Sequence, residues 1–540
     1  MSALPRRRAL GDDETRDADA PPRPRPPPTP MAPVVAVKHR GAITVSIMLA
    51  TIMQALDSTI ANVALPHMQG SLSAASDTIT WVLTSYIIAA AIMTPMAGWL
   101  SGRFGRKQVF LVAVAGFTVA SMLCGTAESL AQMVIYRLLQ GVFGAALVPL
   151  SQSVLLDINP REKHGSAMAI WGAGIMVGPI LGPVLGGWLT DVYNWRWVFY
   201  INLPVGILAF LGIMAFVPRA RRDADRPFDF FGFAMLSLGI GALQMMLDRG
   251  ELKDWFGSTE IIVEGMLAAI GLYVFFAHSL TAKHPFLHPA LFKDRNFVAG
   301  LVLIFIVGII LLATLALLPP MLQNLMDYPV ITTGLVTAPR GIGTLIAMIL
   351  VGRLVNRTDS RLLMLLGLAL TAYSLYEMTS YSMQMGQGPI IWAGIIQGCG
   401  LGFIFVPLSA VTFATLPSEY RTEAAGIYSL LRNVGSSLGI SVVQTLLTQN
   451  TQINHATLAE HITRFNPLMQ VPQITKFWNV STTAGLAALD QEITRQAAMI
   501  AYINDFKLMM IVTLAAIPLL LLVRRPARQP AAAASAAALE

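Results

Sequence analysis

From about residue 43 to residue 523 the chain alternates long apolar runs with short polar breaks, and most runs have the length that crosses a bilayer. A spanning helix needs about 20 mainly apolar residues. On that measure six spans fall near 43–65, 79–99, 109–126, 133–156, 166–190 and 196–217. A pair follows near 229–248 and 261–281, then six more near 297–318, 332–352, 363–383, 389–413, 424–446 and 505–523. The pattern therefore predicts an all-α membrane protein of 14 transmembrane helices, two six-helix bundles with an inserted pair between them. The expected domains are residues 41–218, the pair within 219–296, and 297–525 with a long loop at 447–504.

Composition agrees with lipid as the solvent. Hydrophobic residues make up 55% of the 540 and charged residues only 12%, about half the share of a soluble chain. Mean hydropathy is +0.61. The net charge of +7 resides in short clusters between apolar runs rather than along one face, which argues against nucleic acid as a partner. Alternate loops hold these clusters: Arg103, Arg106 and Lys107; Arg161 and Lys163; Arg219, Arg221, Arg222 and Arg226; Lys283, Lys293 and Arg295; Arg353, Arg357 and Arg361; and Arg421. Lys and Arg mark cytoplasmic loops, so both termini are expected in the cytoplasm.

The first 40 residues include Arg6 to Arg8 and a proline-rich run from Pro21 to Pro30. They read as a disordered cytoplasmic tail without a signal peptide, and Met31 is an alternative start. Residues 526–540 read as a second tail. Cys124 and Cys399 both lie in apolar runs and read as packing residues. An internal echo supports two related halves. Gln140-Gly141 leads to Pro149-Leu150-Ser151, and Gln397-Gly398 leads to Pro407-Leu408-Ser409. Repeats of this kind build transporters with a site between the halves at mid-membrane.

Among candidate chemical groups, Asp57 stands out because it interrupts the first apolar run, in Leu56-Asp57-Ser58-Thr59-Ile60-Ala61-Asn62-Val63-Ala64-Leu65-Pro66. A charged carboxylate at a helix centre costs about 2.5–3.5 kcal/mol on insertion scales, so it must face a cavity or a partner. Since desolvation favours the neutral form, Asp57 is a candidate proton site. An interfacial aspartate bonded to Ser58 or Thr59 is the alternative.

Several further segments carry motif-like patterns. In the first basic loop, Gly98-Trp99-Leu100-Ser101-Gly102-Arg103-Phe104-Gly105-Arg106-Lys107 joins helix-turn glycines to cations. Arg137 precedes Gln140-Gly141 in the fourth stretch, either paired with an acid or snorkelling outward. The fifth holds Gly178-Pro179-Ile180-Leu181-Gly182-Pro183-Val184-Leu185-Gly186-Gly187, whose glycines four apart permit close helix approach. Asn194-Trp195-Arg196-Trp197-Val198-Phe199-Tyr200-Ile201-Asn202-Leu203-Pro204 carries aromatic rings suited to a membrane interface. Arg432 and Asn433 interrupt the thirteenth.

Together these segments resemble the fourteen-helix drug:proton antiporters of the major facilitator superfamily, the EmrB/QacA type, from about residue 41 onward. That resemblance implies proton coupling by Asp57 with Arg137. It also implies a gating loop of Gly98, Arg103, Gly105 and Arg106, and an antiporter motif of Gly178, Pro179, Gly182, Pro183 and Gly186. Gly102 stands where the family often has Asp, so a latch there needs another acid. Gln54, Asn62, Gln140, Arg432 and Asn433 are assigned to the substrate cavity. The implied activity is proton-driven efflux of hydrophobic or amphiphilic drugs by alternating access. Its partners would be protons, drugs, a periplasmic adaptor of the EmrA-like membrane-fusion type and an outer-membrane channel. Proton-coupled transport of one specific solute, including uptake, is the competing reading.

Other classes lack their signatures. The chain has no Gly-Lys dipeptide for a phosphate loop and no His-Glu-x-x-His. No enzyme activity, catalytic set or cofactor is therefore assigned, and the proton gradient is the energy source. His455 and His461 lack companion ligands nearby, so no metal site is assigned.

Overall fold

The computed structural model describes residues 39–524, apart from 76–77, 161–162, 220–226, 356, 463–465, 468–470, 472–477 and 480. The expected terminal tails thus lie almost wholly outside the described residues, as do Arg161, Arg221, Arg222 and Arg226. Helices, turns and loops make up everything described, with no strand among those residues. Apolar runs this long can bury their backbone polar groups in lipid only by bonding them within the same segment.

A helix occupies each of the expected spans. In chain order these are α1 Arg40–Ser71, α2 Trp81–Met93 with Met96–Phe104, α3 Arg106–Thr126, α4 Leu130–Ile158, α5 His164–Val192, α6 Trp197–Phe216 and α7 Phe230–Arg249. They continue as α8 Thr259–Thr281, α9 Arg295–Leu325, α10 Ile331–Leu354, α11 Ser360–Met378, α12 Gln387–Ala414, α13 Arg421–Glu460 and α14 Thr483–Leu522. Among the described residues, 11 helices are long and apolar enough to cross a membrane, and 12 if α2, bent by 55° at its break, is one span. The count of fourteen is therefore met by helices but not by apolarity. α11 and α13 fall short of the measure, and α13 does so because it carries Arg432, Asn433, Ser436 and Ser437 within its apolar stretch.

The two halves repeat one pairing scheme. α1 packs on α5 and α6, α2 on α4, and α3 on α4 and α6; correspondingly α9 packs on α13 and α14, α10 on α12, and α11 on α12 and α14. Lipid supplies no hydrophobic drive between helices, so close backbone approach at small residues does much of the work. A β-carbon at Gly308 would overlap the Arg432 backbone, and one at Gly435 the Phe305 backbone, which fixes α9 against α13. The inserted helix α7 touches both halves. It packs on α2 and α13, with Thr84 donating to Asp248 and Gln244 Nε2 donating to Ser437 Oγ at 2.7 Å.

One expected loop is largely helical. α13 continues to Glu460 and α14 begins at Thr483, so the stretch expected as a loop over 447–504 shrinks to a connection at 461–482. These extensions lie side by side: Asn454 Nδ2 donates to Ala497 O at 3.4 Å, and His455 Nε2 lies 3.0 Å from Asp490 Oδ1. Polar residues had suggested a loop, yet a helix satisfies its own backbone bonds whatever its side chains, and polar side chains join the two segments.

Candidate functional site: a buried carboxylate network and a latch between the halves

Near the middle of α1, Asp57 has no solvent exposure. Three donors converge on its carboxylate: Arg137 Nη1 on Oδ2 at 2.7 Å, Gln140 Nε2 on Oδ1 at 2.7 Å and Asn202 Nδ2 on Oδ1 at 3.0 Å. α4 presents Arg137 and Gln140 from adjacent turns, which is why a three-residue spacing suffices. Arg137 Nη1 also donates to Gln140 Oε1 at 2.7 Å and its Nε to Val82 O at 3.0 Å. Its guanidinium carbon lies 4.3 Å from the Tyr86 ring centre, close enough for cation–π attraction. The arginine is 1% exposed, so it does not snorkel outward.

Asp57 and Arg137 form a fully buried ion pair whose lone pairs and protons are largely used. Such a pair holds its geometry only while both charges remain, because removing one leaves an uncompensated charge, a penalty of about 3–5 kcal/mol. Through Arg137 and Gln140 of α4 and Asn202 of α6, the single carboxylate on α1 ties three helices together.

Around this centre the assigned cavity residues separate. Gln54 Nε2 donates to the Tyr86 hydroxyl at 3.0 Å, placing it beside the network. Asn62 is exposed on α1 and stands apart from it. Arg432 and Asn433 are half-buried in the other half, where Arg432 Nη2 lies 3.5 Å from Asn433 Oδ1. Among the described residues no carboxylate lies within ion-pair distance of Arg432.

The glycine array of α5 seats α1. A β-carbon at Gly178 would overlap Ala55 backbone atoms, one at Gly182 would overlap Thr59, and one at Gly186 would lie 2.8 Å from Ile60 Cγ1. Thr59 Oγ1 donates to Gly178 O at 3.0 Å across this contact. Pro183 lines a cavity on another side of α5, and the Pro179 side chain lies outside the described residues.

At the basic-loop end the halves meet. Gly105 has φ +90°, a left-handed conformation that favours glycine, and joins α2 to α3. A β-carbon at Gly98 would sit 2.7 Å from Glu423 Cα, so glycine lets α2 abut α13. Arg103 lies over the Trp99 ring at 5.6 Å. Arg106 pairs with Asp157 at the end of α4, and Arg421 Nη1 of α13 reaches the same carboxylate at 2.8 Å. Asp157 is the acid that the glycine at position 102 leaves the loop without. Ser153 and Thr422 hydroxyls, 2.8 Å apart, add a further bond between the halves.

Three polar positions that the structure singles out were not among the expected site residues. Asn202 sits in an aromatic stretch that resembled an interface belt, yet it is 2% exposed and bonded to Asp57. Asp157, one residue from the end of α4, had no role assigned from the sequence. Asp505 of α14 is 1% exposed, and both its oxygens lack a hydrogen-bond partner. Their common signal was a polar residue inside or bounding an apolar run. Among the described residues no cluster of three His, Cys, Asp or Glu side chains could hold a metal ion.

Two like-paired helical halves, an ion pair sealed inside one and charged contacts between them define a polytopic membrane transporter. Residues 47–440 match the Major Facilitator Superfamily, and the chain belongs to that family. Its relatives include the fatty acid resistance protein FarB of Neisseria gonorrhoeae, 37% identical over 90% of this chain and 96% of that protein. Multidrug export protein EmrB is 36% identical over 85% of this chain and 90% of its own length, both in Haemophilus influenzae and in Escherichia coli K12. Solved structures with the same fold include the proton:xylose symporter XylE, with a TM-score of 0.56 at 14% identity, covering 87% of this chain and 96% of that one. Another is the human organic anion transporter MFSD10, with a TM-score of 0.55 at 14% identity, covering 88% and 99%.

Proposed function

We propose that this protein is a proton-driven exporter of hydrophobic and amphiphilic drugs, working by alternating access between α1–α6 and α9–α14. The observation that carries this reading is the buried Asp57–Arg137 pair, held by Gln140 and Asn202. The export direction rests on the relatives named for multidrug export and on the α5 glycine array beside Asp57.

A proton entering from outside neutralises Asp57 and releases Arg137, so α1, α4 and α6 change their mutual fit. Loss of that proton to the cytoplasm restores the pair. Inward proton flow supplies about 2.3 kcal/mol per charge per 100 mV of membrane potential. The Arg106–Asp157–Arg421 contact holds the halves together at the basic end, which the distribution of Lys and Arg assigns to the cytoplasm. Both termini then lie inside a bacterial inner membrane.

No covalent chemistry or cofactor enters this cycle. The paired extensions of α13 and α14 stand on the opposite side, where a periplasmic adaptor leading to an outer-membrane channel would dock. In this reading Gln54, Asn62, Gln140, Arg432 and Asn433 supply the polar contacts to substrate.

The test is drug transport in proteoliposomes under an imposed proton gradient, with wild type compared to Asp57→Asn at equal protein. Gradient-driven export should collapse in the variant. Normal export by Asp57→Asn would place the proton elsewhere.

A further inference from the structure

Buried arginines are costly, and among the described residues three are buried: Arg137, Arg340 and Arg421, the last paired with Asp157. In the first half the cost is met by Asp57. In the second half Arg340 of α10 is 7% exposed, and no counter-charge meets it among the described residues. Its Nη2 donates to the Leu311 carbonyl at 3.3 Å, and its Nη1 has no hydrogen-bond partner. An uncompensated cation in hydrocarbon is retained mainly where it serves a ligand or a pathway.

The second observation is a cavity. Arg340 lines a space of about 50 Å³ between the halves. Ile180 and Pro183 of α5 form one wall, and Leu311, Leu315 and Thr344 belong to the other half. The backbone is shaped for this position. A β-carbon at Gly398 of α12 would overlap the Arg340 carbonyl, and one at Gly341 would overlap Ile180, so glycines bring three helices around the arginine.

The internal repeat sharpens the contrast. Gln140 reaches a carboxylate, Asp57, at 2.7 Å. Its echo Gln397 reaches only the Thr314 hydroxyl at 3.3 Å, and Gln397 Oε1 has no partner. Among the described residues the second half thus has the cation and the amide, with no acid bonded to either.

We propose that Arg340 is an anion-recognition residue at the interface between the halves, and that its counter-ion is the carboxylate of an amphiphilic substrate. This rests on the export reading above and names a substrate class for it. The space suits a headgroup rather than a whole drug, with the Arg340 guanidinium as its charged partner. The apolar residues of α5 and α9 flank the hydrocarbon tail.

Equilibrium binding of laurate and of methyl laurate to the purified full-length protein in neutral detergent tests the assignment. Wild type should prefer laurate to its ester by at least about tenfold, the scale of one lost hydrogen bond to a charged group. Arg340→Gln should lose that preference and Arg340→Lys should keep most of it. The wild-type comparison needs no variant, so a folding defect cannot obscure it. Equal binding of acid and ester by wild type, or an undiminished preference in Arg340→Gln, would overturn the site. Ethidium export by wild-type proteoliposomes is measured in parallel. If it fails while laurate still binds through Arg340, the export reading falls and the anion site stands.

Discussion

Replacing Asp157 by Asn should open the basic end of the molecule. The carboxylate is shared by Arg106 of the first half and Arg421 of the second, the latter at 2.8 Å. Without it, two guanidinium groups remain at the seam and repel one another. A hydrogen bond to a charged group contributes about 1.5–3 kcal/mol, and breaking a buried pair costs about 3–5 kcal/mol. Here the Asp157 side chain keeps 20% of its surface exposed, and exposed pairs contribute less. A loss of about 2–3 kcal/mol from the latched state follows, which shifts the balance between states by about 30- to 150-fold. Spin labels at the exposed positions Gln108 and Thr415, in a background lacking Cys124 and Cys399, would report the separation by pulsed dipolar spectroscopy. The distance distribution should move to longer values in the variant. An unchanged distribution would refute the role of Asp157 in holding the halves together.

Asn202→Leu removes one donor from Asp57 and should weaken the network by about 1–3 kcal/mol; gradient-driven transport should fall several-fold, more than protein yield does, and parity with wild type would count against a role for Asn202. Gly182→Leu pushes a side chain into Thr59 and should slow or abolish transport while the Asp57–Arg137 pair remains; normal transport would dismiss the α5 array as a tight interface.

Much of this organisation was legible in the apolar pattern because membrane helices must satisfy their own backbones, which makes length and hydropathy strong signals. Asp57 was legible for the same reason: a charge within an apolar run needs a partner. What the sequence could not supply was which partner. Asp157 and Arg421 lie 264 residues apart, and each alone is an ordinary helix-end charge. Asn202 was masked by aromatic neighbours that suggest an interface, whereas packing turns it inward to Ser121 and Asp57. The helical extensions of α13 and α14 were hidden by their polarity, since two polar helices stabilise each other only as a pair. Arg340 could not be singled out from sequence because the void beside it is made in part by α5, a distant segment.

The 40 residues of α13 give it a length of about 60 Å at 1.5 Å per residue, roughly twice the hydrocarbon thickness of a bilayer. Arg421 stands at one tip and the paired extension at the other, with the Gly308 and Gly435 contacts along the shaft. Such a rod is a lever with its fulcrum in the membrane. A tilt of about 10° around its midpoint would carry each end about 5 Å in opposite directions, so in such a rocking motion a release on one side of the membrane would be felt on the other through the backbone alone.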